Sequence, residues 1–198
     1  TQAFMAATAE ADMDACRELC WRDNKIRVCE GPPGSGKTTF THLAIQDVVL
    51  KGGRVLFALP TAQLASRMRE RYGRSVHVDT FHAATGFGED FAHVAHVLAP
   101  YTLVVVDEMS QLNQAHFAHL CHLWDAVDRV PTLAFIGDRH QMRGFGEGSP
   151  WDSPLWKKIT KVTELKLAFR CKDPDFAKIL AALRTAKPAA KSAPRVVS

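Results

Sequence analysis

Long apolar runs are missing from this 198-residue chain, and nothing in it approaches the stretch needed to cross a bilayer, so no membrane partner is expected. The opening TQAFMAATAEADMDACREL lacks a basic start followed by an apolar core and does not read as a secretory leader. Cysteine is sparse. The five thiols, Cys16, Cys20, Cys29, Cys121 and Cys171, form no CxxC pair and are odd in number. Reduced thiols in an intracellular compartment, cytoplasm or nucleus, are the simplest expectation. No HExxH occurs and no internal repeat is visible. Neither sign of charge dominates: 25 Lys and Arg stand against 21 Asp and Glu, a net +4 that suits a polyanion partner but only slightly favours one. Large apolar residues are also scarce in the tail KPAAKSAPRVVS, so residues 187–198 are expected to be a flexible tail or linker behind one domain over 1–186. The chain begins at threonine, which suggests processing or a longer parent.

What is present is an ordinary globular composition, 46% apolar and 23% charged. Short β-rich runs alternate with longer helix-like stretches. Strands are expected at Ile26–Cys29, Arg54–Leu59, Val76–Val78, Leu103–Val106, Leu133–Ile136 and Lys161–Leu165. Helices are expected at Ala9–Trp21, Lys37–Lys51, Ala62–Tyr72, Phe91–Leu98, Gln114–Val127 and Asp175–Arg184. LVVV and LAFI carry no apolar/polar alternation, as in strands covered on both faces. The order predicts an α/β fold, a mostly parallel sheet with helices on both faces and ligands at the carboxyl ends of the strands.

The chemistry sits where that rule puts it. EGPPGSGKTT follows the first strand and matches G-x-x-x-x-G-K-[ST] at Gly31, Gly36, Lys37 and Thr38. Gly31, Pro32, Pro33, Gly34, Ser35, Gly36 and Thr39 complete a loop whose N–H groups can face a polyphosphate, with a helix N-terminus behind it. Lys37 suits the β- and γ-phosphates and the Thr38 hydroxyl suits Mg2+. A glycine-rich turn before an ordinary helix is the competing explanation. LVVVDEMSQL then places Asp107 and Glu108 at a strand end, one acid for the metal and one for an attacking water, or a solvated turn. In FIGDRHQM, Asp138 and Gln141 follow the next strand. The Gln141 amide can both donate and accept, so it could contact a γ-phosphate and a water together; an Asx-type turn with Gln141 exposed is the alternative.

Taken in order, GPPGSGKT, LPTAQLA, VDTFHAATGFG, VVVDEMSQL, FIGDRHQM and ELKLAFRCKDPDFAKILAALR resemble motifs I, Ia, Ib, II, III and IV of superfamily-one DNA helicases. The similarity is closest to the Pif/RecD branch and spans about Val28 to Leu183. It implies the first RecA-like lobe of a P-loop NTPase motor that hydrolyses ATP with Mg2+. Its implied partners are single-stranded DNA, with RNA possible, and a second RecA-like lobe. By the same resemblance Lys37 and Thr38 bind phosphate and Mg2+, Asp107 holds Mg2+, Glu108 activates water, and Gln141 and Arg170 contact the γ-phosphate. Thr61, Ala62, Thr80 and His82 would line the single-strand track. Arg170 as an ion-pair partner of Asp173 or Asp175, Thr80 as a cap and His82 as a turn histidine remain the alternatives. The chain departs from the pattern in four places: no glutamine upstream of the phosphate loop, MRGFGEG where Pro-Pro follows the motif III glutamine, Gln63 for a motif Ia glycine, and no motifs V and VI.

Weaker groupings are His116, His119 and His122 beside Cys121, with His93 and His96, at metal-compatible helical spacing but more simply helix surface or packing. Phe145, Trp151 and Trp156 could stack on bases or plug a core edge, and Arg67 to Arg74 could meet phosphates or be a charged helix face.

Overall fold

A computed structural model describes residues 26–87, 89–126, 131–144, 146–159, 162–166 and 182. Its centre is a six-stranded sheet in the order β3-β2-β4-β5-β1-β6, parallel at every pairing. The strands are β1 (Ile26–Glu30), β2 (Val55–Leu59), β3 (His77–Thr80), β4 (Leu103–Val106), β5 (Thr132–Gly137) and β6 (Val162–Glu164). The α-helices are α1 (Lys37–Leu50), α2 (Ala62–Tyr72), α3 (Phe81–Thr85), α4 (Phe91–Leu98) and α5 (Gln114–Ala126), with 3₁₀ turns at Met109–Gln111, Pro150–Asp152 and Pro154–Lys158.

The unbroken apolar strands follow from this layering. In β4, Leu103 and Val105 pack with Phe40, Ile45 and Val48 of α1 on one face. Val104 and Val106 pack with Phe117, Leu120 and Trp124 of α5 on the other. Successive side chains point to opposite faces, so a strand covered twice needs apolar residues at every position. Trp124 is fully buried and its indole donates to the Pro131 carbonyl at 2.7 Å, joining α5 to the entry of β5. Among the described residues no helix is long and apolar enough to cross a membrane.

Most expected elements are present, α2, α4 and β4 with the expected bounds. Three depart. β3 runs His77–Thr80 rather than Val76–Val78, because its ladder follows Leu56–Leu59 of β2 up to the carboxyl edge. β5 gains Thr132 and Gly137 because β1 and β4 continue alongside it. Helix α3 was not anticipated; five residues are too few to show a helical period. The helices expected at 9–21 and 175–184, and the tail at 187–198, lie outside the described residues apart from Ala182.

Candidate functional site

The carboxyl ends of the strands form one edge, and the strand order dictates what lies along it. From β3 to β6 it carries Thr80, then Thr61 after β2, Asp107 after β4, Asp138 and Gln141 after β5, and Gly31 after β1. The candidates for phosphate and for single strands therefore fall on opposite halves of the edge. The carboxylates and the glutamine stand between them.

The phosphate loop is shaped by its glycines. Gly36 has φ 92° and opens α1 with neither a side-chain cap nor an acid in the first turn, leaving the positive helix end available to an anion. A Cβ on Gly31 would lie 2.5 Å from Ser35 Oγ and 2.9 Å from both Cβ and O of Leu165, so only glycine fits there. Gly31 N–H donates to Gly137 O at 3.2 Å, fastening the loop root to the end of β5. Lys37 Nζ donates to the carbonyls of Gly31 (2.8 Å) and Pro32 (3.1 Å). Ser35 is buried with its hydroxyl unpartnered, while Pro33, Thr38 and Thr39 are exposed.

After β4, Asp107 accepts a hydrogen bond from Glu108 N at 2.9 Å. Burial pushes the Asp107 carboxyl up to about 6; the Glu108 N–H and, less strongly, Lys37 oppose that shift, while the Glu108 carboxylate adds to it. Glu108 has φ 54° and is the one described non-glycine residue with positive φ. The turn behind it closes through Gln111 N–H to Glu108 O at 2.8 Å.

After β5, Asp138 is buried and its carboxylate accepts from His140 N at 3.0 Å, while Gln141 N donates to Asp138 O at 3.1 Å. The Asx-type turn is thus present, but Gln141 is half-buried and its Oε1 is enclosed without a partner. The segment beyond is fixed to the turn after Glu108. Gln111 Nε2 donates to Met142 O at 3.1 Å and Gly144 N to Ser110 O at 3.0 Å. Side chains at 144, 146 and 148 would strike Gln111, Asn113 and Gln114. Alternate glycines in MRGFGEG, where the resembled family has Pro-Pro, let this backbone lie flat on its neighbour.

On the other half of the edge, Thr61 caps α2, accepting from Leu64 N at 3.3 Å, and both Thr61 and Ala62 are exposed. Thr80 precedes α3 without a side-chain capping bond. His82 is exposed and its ring meets that of His116 at 4.7 Å. Arg170 and Phe145 lie outside the described residues. Trp151 and Trp156 are partly buried against the core, 5.8 Å apart, which favours the core-edge role over base stacking. Among the described residues no three His, Cys, Asp or Glu side chains could hold a metal ion, so the histidine grouping gains no support as a metal centre. Arg69 is committed to Val78 O and Asp79, which leaves Arg67, Arg71 and Arg74 as the other exposed arginines of that basic run.

Sequence reasoning missed a network at the root of the loop. Glu30 is 6% exposed. One carboxylate oxygen accepts from Arg139 at 2.7 Å and the other from the Trp151 indole. The signal was an acid ending a strand, IRVCE, that is otherwise buried on both faces.

Residues 8–195 match the AAA domain family. The ATP-dependent RecD2 DNA helicase of Deinococcus radiodurans is 31% identical over 128 residues, covering 64% of this chain and 17% of the relative. The methyltransferase/helicase/RNA-directed RNA polymerase of Helicoverpa armigera stunt virus is 29% identical over 138 residues, covering 69% of this chain and 8% of the relative. The crystal structure of Pif1 helicase from Candida albicans superposes with a TM-score of 0.68 at 19% identity, over 89% of this chain and 43% of that one. The chain thus spans less than half the length of each of these proteins.

Proposed function

The chain belongs to the AAA domain family and has the RecA-like P-loop fold seen in Pif1 helicases, and from that premise we propose that it is the ATP-binding motor lobe of a DNA helicase. Joined to a second RecA-like lobe, it would hydrolyse ATP to move along single-stranded DNA. The observation that carries this reading is the single sheet edge on which the phosphate loop, Asp107 with Glu108, and the unpartnered amide oxygen of Gln141 converge. The relative from Deinococcus, a DNA helicase, supports the substrate class.

The residues fit an Mg2+ nucleotide. The uncapped start of α1 and the Gly31–Gly36 backbone form an anion cradle, and Lys37 can exchange its two carbonyl acceptors for phosphate oxygens. Thr38 and Asp107 would hold Mg2+, which neutralises charge on the phosphates when bound. Glu108 orients and deprotonates the attacking water. Gln141, whose loop is fastened to the Glu108 turn, contacts the γ-phosphate and passes its presence toward Thr61, Ala62, Thr80 and His82 on the strand-binding half. Arg170 adds positive charge at the γ-phosphate.

The test is the ATPase rate with and without single-stranded DNA or RNA, on this chain and on any longer parent. Stimulation by DNA in the parent supports the proposal. Stimulation by RNA alone would favour an RNA helicase lobe, a reading that the viral relative raises. Tight nucleotide binding with no turnover in either would mark a nucleotide- or partner-binding module. Gln141→Ala is expected to abolish polymer stimulation while sparing nucleotide affinity; unfolding of that variant would make Gln141 structural.

A further inference from the structure

Three segments meet on the Glu30 carboxylate. It is buried, it ends β1, and it directly precedes the phosphate loop. Arg139 reaches it from the loop that carries Gln141, and Trp151 from the 3₁₀ turn after that loop, each occupying its own oxygen. A buried carboxylate is tolerated only when its charge is paired and its oxygens are satisfied, so the three groups hold one another in place.

The next residue is under a second constraint. Gly31 is wedged between Ser35 and Leu165, and its carbonyl accepts from Lys37. Phosphate oxygens compete for the same ammonium. Drawing Lys37 off the Gly31 and Pro32 carbonyls changes the force on a residue that has no lateral room to absorb it. The adjacent residue along the chain is Glu30. Its carboxylate is the point from which a displacement reaches both Arg139 and Trp151.

We propose that Glu30 is a positioning residue that relays phosphate engagement of Lys37 to the Gln141 loop through Arg139 and to the Trp151 turn through its indole contact. The relay rests on the nucleotide-site reading above. It assigns Arg139 and Trp151 a part in sensing the nucleotide without direct contact to it.

Fluorine NMR of the chain labelled with 5-fluorotryptophan gives one resonance for each of its four tryptophans, and Trp151→Phe identifies the relevant one. Titration with ADP and with a non-hydrolysable ATP analogue, each with Mg2+, is followed in parallel by calorimetry. The Trp151 resonance is expected to move with the calorimetric midpoint, while that of Trp124, buried against Pro131, stays put. Glu30→Gln keeps the shape but sets an amide NH2 against one of the two donors. It should retain nucleotide affinity within about threefold and lose most of the Trp151 shift. Arg139→Gln, at a half-exposed site that leaves the Trp151 contact intact, should keep the Trp151 shift. In a parent with polymer-stimulated turnover, Arg139→Gln should lower kcat several-fold at unchanged KM for ATP, and Arg139→Lys should restore it. An unmoved Trp151 resonance in nucleotide-saturated wild type, or an equal shift in Glu30→Gln, overturns the relay alone. Absence of any calorimetric binding overturns the nucleotide site, and the relay with it.

Discussion

Glu108 combines a proposed chemical role with a backbone conformation that costs an L-residue about 1–2 kcal/mol. Replacing it with glycine is expected to raise the unfolding free energy by up to about 1 kcal/mol, net of the added chain entropy, while stopping hydrolysis. Denaturant melts and phosphate release would read the two opposite signs. Asp107 carries a similar conflict. Its carboxyl keeps a proton up to about 6 in the folded chain against 3.8 ordinarily, so raising the pH between those values favours the unfolded chain, and above 6 the whole penalty is present. Asp107→Asn should therefore stabilise the protein by about 1–3 kcal/mol near neutral pH, with the gain vanishing toward acid, and abolish Mg2+-dependent turnover. Melts across the pH range would check it. The same proton competes with Mg2+, so Mg2+-nucleotide affinity should fall as pH drops through about 6. The two acids were legible in the sequence as types at a strand end. Their strain and desolvation were not, because both depend on partners distant in the chain, such as the close packing of Gly137 on Met109.

Helices α3, α4 and α5 meet through rings. His82 and Phe87 pack on His116, and Phe87 and Phe91 on His119. Burial holds the His116 imidazole below its ordinary 6.5, helped by His82 and His119; burial and then His122 do the same for His119. In the unfolded chain these rings protonate first, so acidification below about 6.5 costs stability until the folded rings titrate too. His116→Phe should reduce the fall in thermal midpoint between neutral and mildly acidic buffer by roughly 1–3 °C. An unchanged fall would mean the cluster titrates as if exposed. The helices themselves were legible where the apolar period was long enough: Val94 and Leu98 mark the buried face of α4 at four-residue spacing. The ring cluster was not, since His116 and His119 show a helical spacing without revealing that Phe87 lies across it. Nor was the register of β3, which its partner β2 sets.

The described residues form one parallel sheet with its proposed chemistry on a single edge, and the order of motifs was enough to expect that arrangement. The sequence could not supply the lateral order of strands, which places the strand-binding candidates beyond Asp107 and the nucleotide candidates beyond Gln141. The resembled family takes a further arginine from a second lobe, and such an arginine contributes roughly 10³–10⁵ in turnover in related phosphate-loop enzymes. These 198 residues are accordingly expected to bind Mg2+-nucleotide, hydrolyse it slowly and leave duplex DNA unopened; brisk unwinding by the purified chain would refute this.

The strand order also has a temporal meaning. β1, first of the six to be synthesised, is flanked by β5 and β6, the last two. While the ribosome is still making residues before Thr132, β2, β3 and β4 can already pair, but the strand that bears the phosphate loop has no neighbour to lie against. Nucleotide capture is therefore expected only once β5 has been made, and a nascent chain stalled short of β5 would leave β1 exposed to chaperones rather than to ATP.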